Sequence, residues 1–126
     1  MYPPKFDYLS PTTLDEALSA LSGAENAKIL SGGMSLIPLM KLRLVRPATV
    51  IDISRIPGLD SIEDRGSHIE IGAMVRTSDT AGNALVREHA TALAEAAGST
   101  ADLQVRNQGT TCGSIAHADL AADQPA

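Results

Sequence analysis

The sequence of 126 residues predicts an α/β or α+β arrangement. Short aliphatic runs at Ala27 to Ser31 and Thr49 to Ile53 alternate with segments of helical character, and the first run ends directly in Gly32-Gly33. A later stretch, Ser61 to Gly72, alternates apolar and polar residues about Arg65-Gly66 and reads as a hairpin. The length suits one compact domain, which at this size buries roughly two-thirds of its unfolded surface. Alanine is the commonest of the apolar residues, and the aromatic ones are Tyr2, Phe6 and Tyr8 alone. The expected core is aliphatic and thin.

Residues Lys5 to Leu9 are extended and stop at Ser10-Pro11, because proline drives its predecessor away from helix. Thr13 and Glu16 form a capping box, opening a helix that Gly23 closes near Ser22. Leu14, Leu18 and Leu21 share one face of it. Leu36 to Val45, with Pro38 inside, suggests a short apolar helix or turn before the strand at Thr49 to Ile53. Beyond the hairpin, helices are expected over Thr77 to Asn83 and His89 to Ala97, whereas Gly98 to Asn107 fits no single period. Gly109 to Asp123, rich in Gly, Thr, Ser and Ala, reads as a loop. The sequence reaches Gln124-Pro125-Ala126 with no closing element, so it is expected to be the front of a longer domain.

Fifteen acidic against ten basic residues give a net charge of −5. An acidic chain without a basic stripe lacks the footprint of a nucleic-acid binder. One cysteine, Cys112, excludes an intrachain disulfide and a cysteine-only metal cage. No apolar h-region follows Met1 and no run approaches the ~20 residues of a membrane span. A soluble, cytoplasmic chain is expected.

Two segments carry chemistry. In Ile29-Leu30-Ser31-Gly32-Gly33-Met34-Ser35-Leu36, a strand ends in two glycines that allow positive φ and close backbone approach. The N–H groups of such a turn form a nest for an anion, with the Ser35 hydroxyl as a further donor. It could equally be a plain strand-to-helix turn, being neither a P-loop nor a dinucleotide fingerprint. In Gly109 to Asp123, Thr110 and Ser114 offer hydroxyls and Asp123 an acceptor for sugar-type hydroxyls; a flexible polar tail is the plainer reading. Two separated glycine segments can grip both sides of one pyrophosphate. A hydrolase would need Cys112 or Ser114 beside His117 and Asp119, yet no G-x-S-x-G elbow surrounds Ser114. His117 and Asp119 with His68 or His89 match no metal-ligand spacing, so no metal site is expected. Lys41, Arg43 and Arg46 form a small basic cluster, read as a solvated face or as a docking surface.

Ser31-Gly32-Gly33-Met34-Ser35-Leu36-Ile37-Pro38-Leu39-Met40-Lys41-Leu42-Arg43 resembles the first flavin loop of the FAD-binding medium subunits of molybdenum hydroxylases, the carbon monoxide dehydrogenase and xanthine dehydrogenase type of enzyme. Thr110 to Asp123 resembles their second loop, T-aliphatic-G-G-S/N-x-x-H-A-D-P-x-x-D, and the opening Phe6-Asp7-Tyr8-Leu9-Ser10-Pro11 also matches. So does Val50-Ile51-Asp52-Ile53 with Ile56-Pro57-Gly58-Leu59. Cys112 departs from a usual glycine, Thr111 from an aliphatic residue and Leu120 from the proline. The resemblance implies an incomplete FAD-binding fold of the vanillyl-alcohol-oxidase type, with an α/β lobe over 1–56 and the first part of an α+β lobe over 57–126, FAD lying between them. It implies contacts from Ile29 to Leu36 to the pyrophosphate side, from Thr110, Gly113 and Ser114 to the diphosphate or ribityl region, and from Asp123. No side chain is expected to do acid–base catalysis. Electrons would arrive from iron–sulfur clusters on a small subunit, fed by a molybdopterin-bearing large subunit, and leave to an external acceptor. The alternative is a truncated, non-catalytic remnant that only docks to those partners.

Overall fold

The computed structural model describes residues 1–124, so Pro125 and Ala126 lie outside the described residues. Two compact units divide the chain, Met1–Pro57 and the residues from Gly58 onward.

The first unit runs β1 (Asp7–Leu9), α1 (Leu14–Gly23), β2 (Ala27–Leu30), α2 (Leu36–Lys41) and β3 (Thr49–Asp52). Its sheet is parallel with order β1-β3-β2. Val50 faces Tyr8 on one side and Lys28 on the other. Val50 and Ile51 point to opposite faces of the sheet and both are buried, which suits the β-branched run Thr49-Val50-Ile51 of this central strand. Val50 and Ile51 are 2% and 0% exposed, and Ala17, Met40, Pro47, Ile53 and Ile56 are buried with them.

Thr13 caps α1 by accepting from the Glu16 N–H at 3.2 Å, as the capping box predicts. The Glu16 carboxylate reaches one residue further back than expected, accepting from the Thr12 N–H at 3.0 Å. The leucine face of α1 is not its buried face. Leu14, Leu18 and Leu21 remain exposed, while Ala17 is buried and Ala20 half-buried. The alanine stripe lies about a quarter-turn from the leucines at 100° per residue, and its small side chains let the helix approach the sheet closely. At the sheet's edge the Tyr8 hydroxyl donates to the Asp52 carboxylate, which also accepts from the Ser54 N–H at 2.8 Å.

The second unit opens with the expected hairpin, β4 (Ile62–Asp64) antiparallel to β5 (Ile69–Ile71). Gly66 turns at φ +78° and its N–H donates to Asp64 Oδ1 at 2.7 Å. Five short helices follow: α3 (Thr77–Gly82), α4 (Ala84–His89), α5 (Thr91–Ser99), α6 (Leu103–Gln108) and α7 (Thr111–His117). The helix predicted over His89 to Ala97 is present as α5 and starts at Thr91 because Ala90 leaves helical geometry; α4, capped by Asn83, precedes it and was not expected. The ambiguous stretch before residue 107 holds α6, capped by Asp102. The loop expected over Gly109 to Asp123 is corrected to a helix followed by a turn: Thr110 caps α7 and Ala118 ends it at φ +55°. Composition suggested a loop here; the cap and the packing of Thr111 made a helix. Among the described residues no helix is long and apolar enough to cross a membrane.

Truncating Ile51 to Ala in the central strand should cost about 2–5 kcal/mol, read as a lower urea midpoint of the first unit. Burial pulls the Asp52 carboxyl upward, but the bonds from Tyr8 and Ser54 outweigh it and hold it below the ordinary 3.8. The linked stability is therefore complete above that value and is lost as pH falls through 3.8 towards the lower folded value. Asp52→Asn should flatten that acid limb in urea titrations run from pH 6 down to about 3.

Candidate functional site

The first candidate segment belongs wholly to the first unit. Ile29 and Leu30 close β2, and the Leu30 carbonyl accepts from the Ile53 N–H at 3.1 Å, fixing the strand end beside β3. Gly32 is buried. Gly33 turns the chain at φ +76°, and its carbonyl accepts from the Ile37 N–H at 3.0 Å. A Cβ at Gly33 would stand 2.7 Å from Ile37 Cδ1 and 3.0 Å from Leu30 Cδ1. The positive φ is what favours glycine here, since the crowding atoms are the ends of two side chains that can shift. Met34 and Ser35 are exposed, Ser31 and Leu36 half-buried. Ser35 occupies the cap position of α2 without making a side-chain cap, and Pro38 in the first turn has no N–H. No side chain caps the start of α2, and of its first-turn N–H groups that of Ile37 is already taken by the Gly33 carbonyl, so what the turn offers an anionic oxygen is close backbone approach at Gly33.

The second candidate segment belongs to the second unit. Thr110 bridges Arg76 in a single antiparallel pair, and the Thr77 N–H donates to the Gly109 carbonyl at 3.0 Å. Arg76 also reaches the Gln108 carbonyl through its guanidinium. Thr110 is 4% exposed, and its hydroxyl oxygen accepts from the Gly113 N–H at 3.2 Å. Thr110, Gly113 and Ser114 are thus brought into one helical turn. Asp123 lies six residues beyond the end of α7 and is exposed. The Ser114 hydroxyl donates to Gln124 Oε1 at 2.8 Å. Gln124 was not anticipated from sequence; a long amide at the end of a small-residue segment was the available signal.

No nucleophile–histidine–acid relay is assembled among the described residues. Ser114 gives its proton to Gln124, and Asp119 Oδ1 accepts from the Ala121 N–H at 2.9 Å. The Cys112 thiol points weakly at the Ile71 and Gly72 carbonyls, 3.5 and 3.6 Å away, and burial pushes its pKa up, which lowers its reactivity. Among the described residues no three His, Cys, Asp or Glu converge as a metal site. In the basic cluster the Arg43 guanidinium lies 5.7 Å over the Tyr2 ring and Arg46 Nε donates to the Arg43 carbonyl at 3.2 Å.

These geometries stand beside a clear relationship. Residues 4–126 match the family described as the FAD binding domain in molybdopterin dehydrogenase, and the chain belongs to that family. It is 46% identical over its whole length to the carbon monoxide dehydrogenase medium chain of Hydrogenophaga pseudoflava, of which it covers 44%. It is 40% identical over 99% of its length to the glyceraldehyde dehydrogenase medium chain of Sulfolobus acidocaldarius, again covering 44% of that protein. Among solved structures, the carbon monoxide dehydrogenase of Hydrogenophaga pseudoflava superposes with a TM-score of 0.94 at 46% identity, covering all of this chain and 44% of that one. Quinoline 2-oxidoreductase from Pseudomonas putida 86 gives 0.92 at 34% identity, covering 99% of this chain and 44% of that one. The chain therefore spans less than half the length of these relatives.

Gly33→Ala should lower stability by about 1–2 kcal/mol through the left-handed backbone alone, and the urea midpoint of the first unit should fall. A Gly23→Ala control, where nothing lies within 4 Å of the added methyl, should not reproduce the loss.

Proposed function

We propose that the complete protein is the FAD-carrying electron-transfer subunit of a molybdenum-containing hydroxylase or dehydrogenase. The observation that carries this reading is the family match over residues 4–126, which includes both candidate segments. The donor chemistry of this chain fits FAD. We assign the pyrophosphate side to the turn through Ile29, Leu30, Ser31, Gly32, Gly33, Met34, Ser35 and Leu36, where Gly33 at φ +76° lets the backbone approach and no side chain caps the start of α2. Thr110, Gly113 and Ser114 contribute one helical turn with two hydroxyls, and Asp123 an exposed carboxylate for sugar-type hydroxyls.

When bound, FAD supplies the redox chemistry, and the chain's residues bind and orient it without acid–base catalysis of their own. Iron–sulfur clusters are held by several cysteine thiolates, and the sequence has one cysteine. These 126 residues cannot hold such a cluster, so its ligands sit on another chain or domain; in this reading a small partner subunit carries the clusters and a large one the molybdenum centre, with electrons leaving FAD for an external acceptor. The names of the relatives, medium chains of carbon monoxide and glyceraldehyde dehydrogenases, support a multi-subunit setting.

Titrating the purified apoprotein with FAD should quench flavin fluorescence with saturation at one FAD per chain. FMN, which lacks the second phosphate and the adenosine, should bind at least tenfold more weakly, about 1.4 kcal/mol. Equal affinity for both would remove the pyrophosphate from the site, and no binding of either by the folded complete protein would overturn the FAD assignment.

A further inference from the structure

Gln124 is 8% exposed, although the six residues before it, from Ala118 to Asp123, are exposed or half-buried. Its amide joins two helices. Nε2 donates to Thr100 Oγ1 at 3.0 Å, and Oε1 accepts from the Ser114 hydroxyl at 2.8 Å. The direction of every proton in this relay follows from its far end. The Thr100 hydroxyl donates to the Ala96 carbonyl at 2.9 Å, and a carbonyl can only accept. Having given its one proton away, Thr100 meets Gln124 as an acceptor, so the amide nitrogen faces it. The amide oxygen is left to face Ser114, and it too only accepts. Ser114 therefore commits its single proton to Gln124 and keeps only lone pairs for anything else. Phosphate oxygens are acceptors and do not match a group in that state; sugar-type hydroxyls, which donate, do.

We propose that Gln124 is a positioning residue of the flavin site. It locks the Ser114 hydroxyl as an acceptor and directs it to a hydroxyl of the ligand rather than to the pyrophosphate. The inference rests on the FAD reading above. Gln124 lies just outside the second loop motif, which ends at Asp123, and its role comes from the relay alone.

The test is a double-mutant cycle on FAD affinity in the complete protein. Gln124→Met keeps the length of the side chain and removes both hydrogen bonds. It should weaken FAD about three- to tenfold, and Ser114→Ala by a similar factor. The combination of the two should be no weaker than Ser114→Ala alone, because Gln124 acts through Ser114. Should Gln124→Met fail to fold, Thr100→Val cuts the relay with Gln124 in place, and its smaller loss should likewise vanish in the Ser114→Ala background. Unchanged FAD affinity in the folded single variants, or losses that multiply in the double variant, would overturn the positioning role while leaving the FAD reading intact. Absence of FAD binding by the parent protein would overturn both.

Discussion

The hydroxyls of Thr80 and Thr111 meet 2.7 Å apart in the interior of the second unit, with the two residues 0% and 1% exposed. The Thr80 hydroxyl also donates to the Arg76 carbonyl at 3.3 Å, so Thr111 donates to it; a buried hydroxyl left without a partner costs about 1–3 kcal/mol, and this bond holds α3 and α7 in one register. The start of α7 follows from that pairing. The Thr111 N–H donates to the Val75 carbonyl, Thr110 beside it becomes the cap, and its oxygen takes the Gly113 N–H. Ser114, one position further, then faces Gln124. The residues with a proposed ligand role in this unit are thus placed by a hydrogen bond that touches no ligand.

The first unit meets a comparable demand with different means. Its central strand is covered on both edges by parallel neighbours, and the chain must leave β2 sharply to return through α2. Gly33 makes that exit at positive φ. The same conformation leaves the first-turn N–H groups of α2 without a side-chain cap. A structural necessity of the parallel crossover and a binding property of the turn therefore share one residue. In the second unit the Gly113 N–H and the Ser114 proton are already committed within the protein.

Much of this was legible from residue order. The strands, the hairpin about Arg65-Gly66, the Thr13 cap and the Gly32-Gly33 turn all depend on local conformational preference, and each appears where the sequence predicts it. The stretch from Gly109 to Asp123 was misread because glycine, threonine and serine weaken a helix in isolation. Capping and the burial of Thr111 reversed that preference. In α1 the leucine stripe attracted attention by its hydrophobicity, whereas close approach to the sheet selected the alanines.

By itself the sequence determined the strands, the hairpin, the first helix, the two candidate segments and, through their motifs, the family. These depend on residue types at short spacings, where backbone conformation and side-chain chemistry are settled within a few positions. Only the tertiary structure decided which polar groups are already satisfied. Thr80 and Thr111 lie 31 residues apart, as do Arg76 and its partner carbonyl at nearly the same separation, and Thr100 meets Gln124 across 24 residues. A hydroxyl's role as donor or acceptor is set by the partner that packing brings to it, and that partner is distant in the chain.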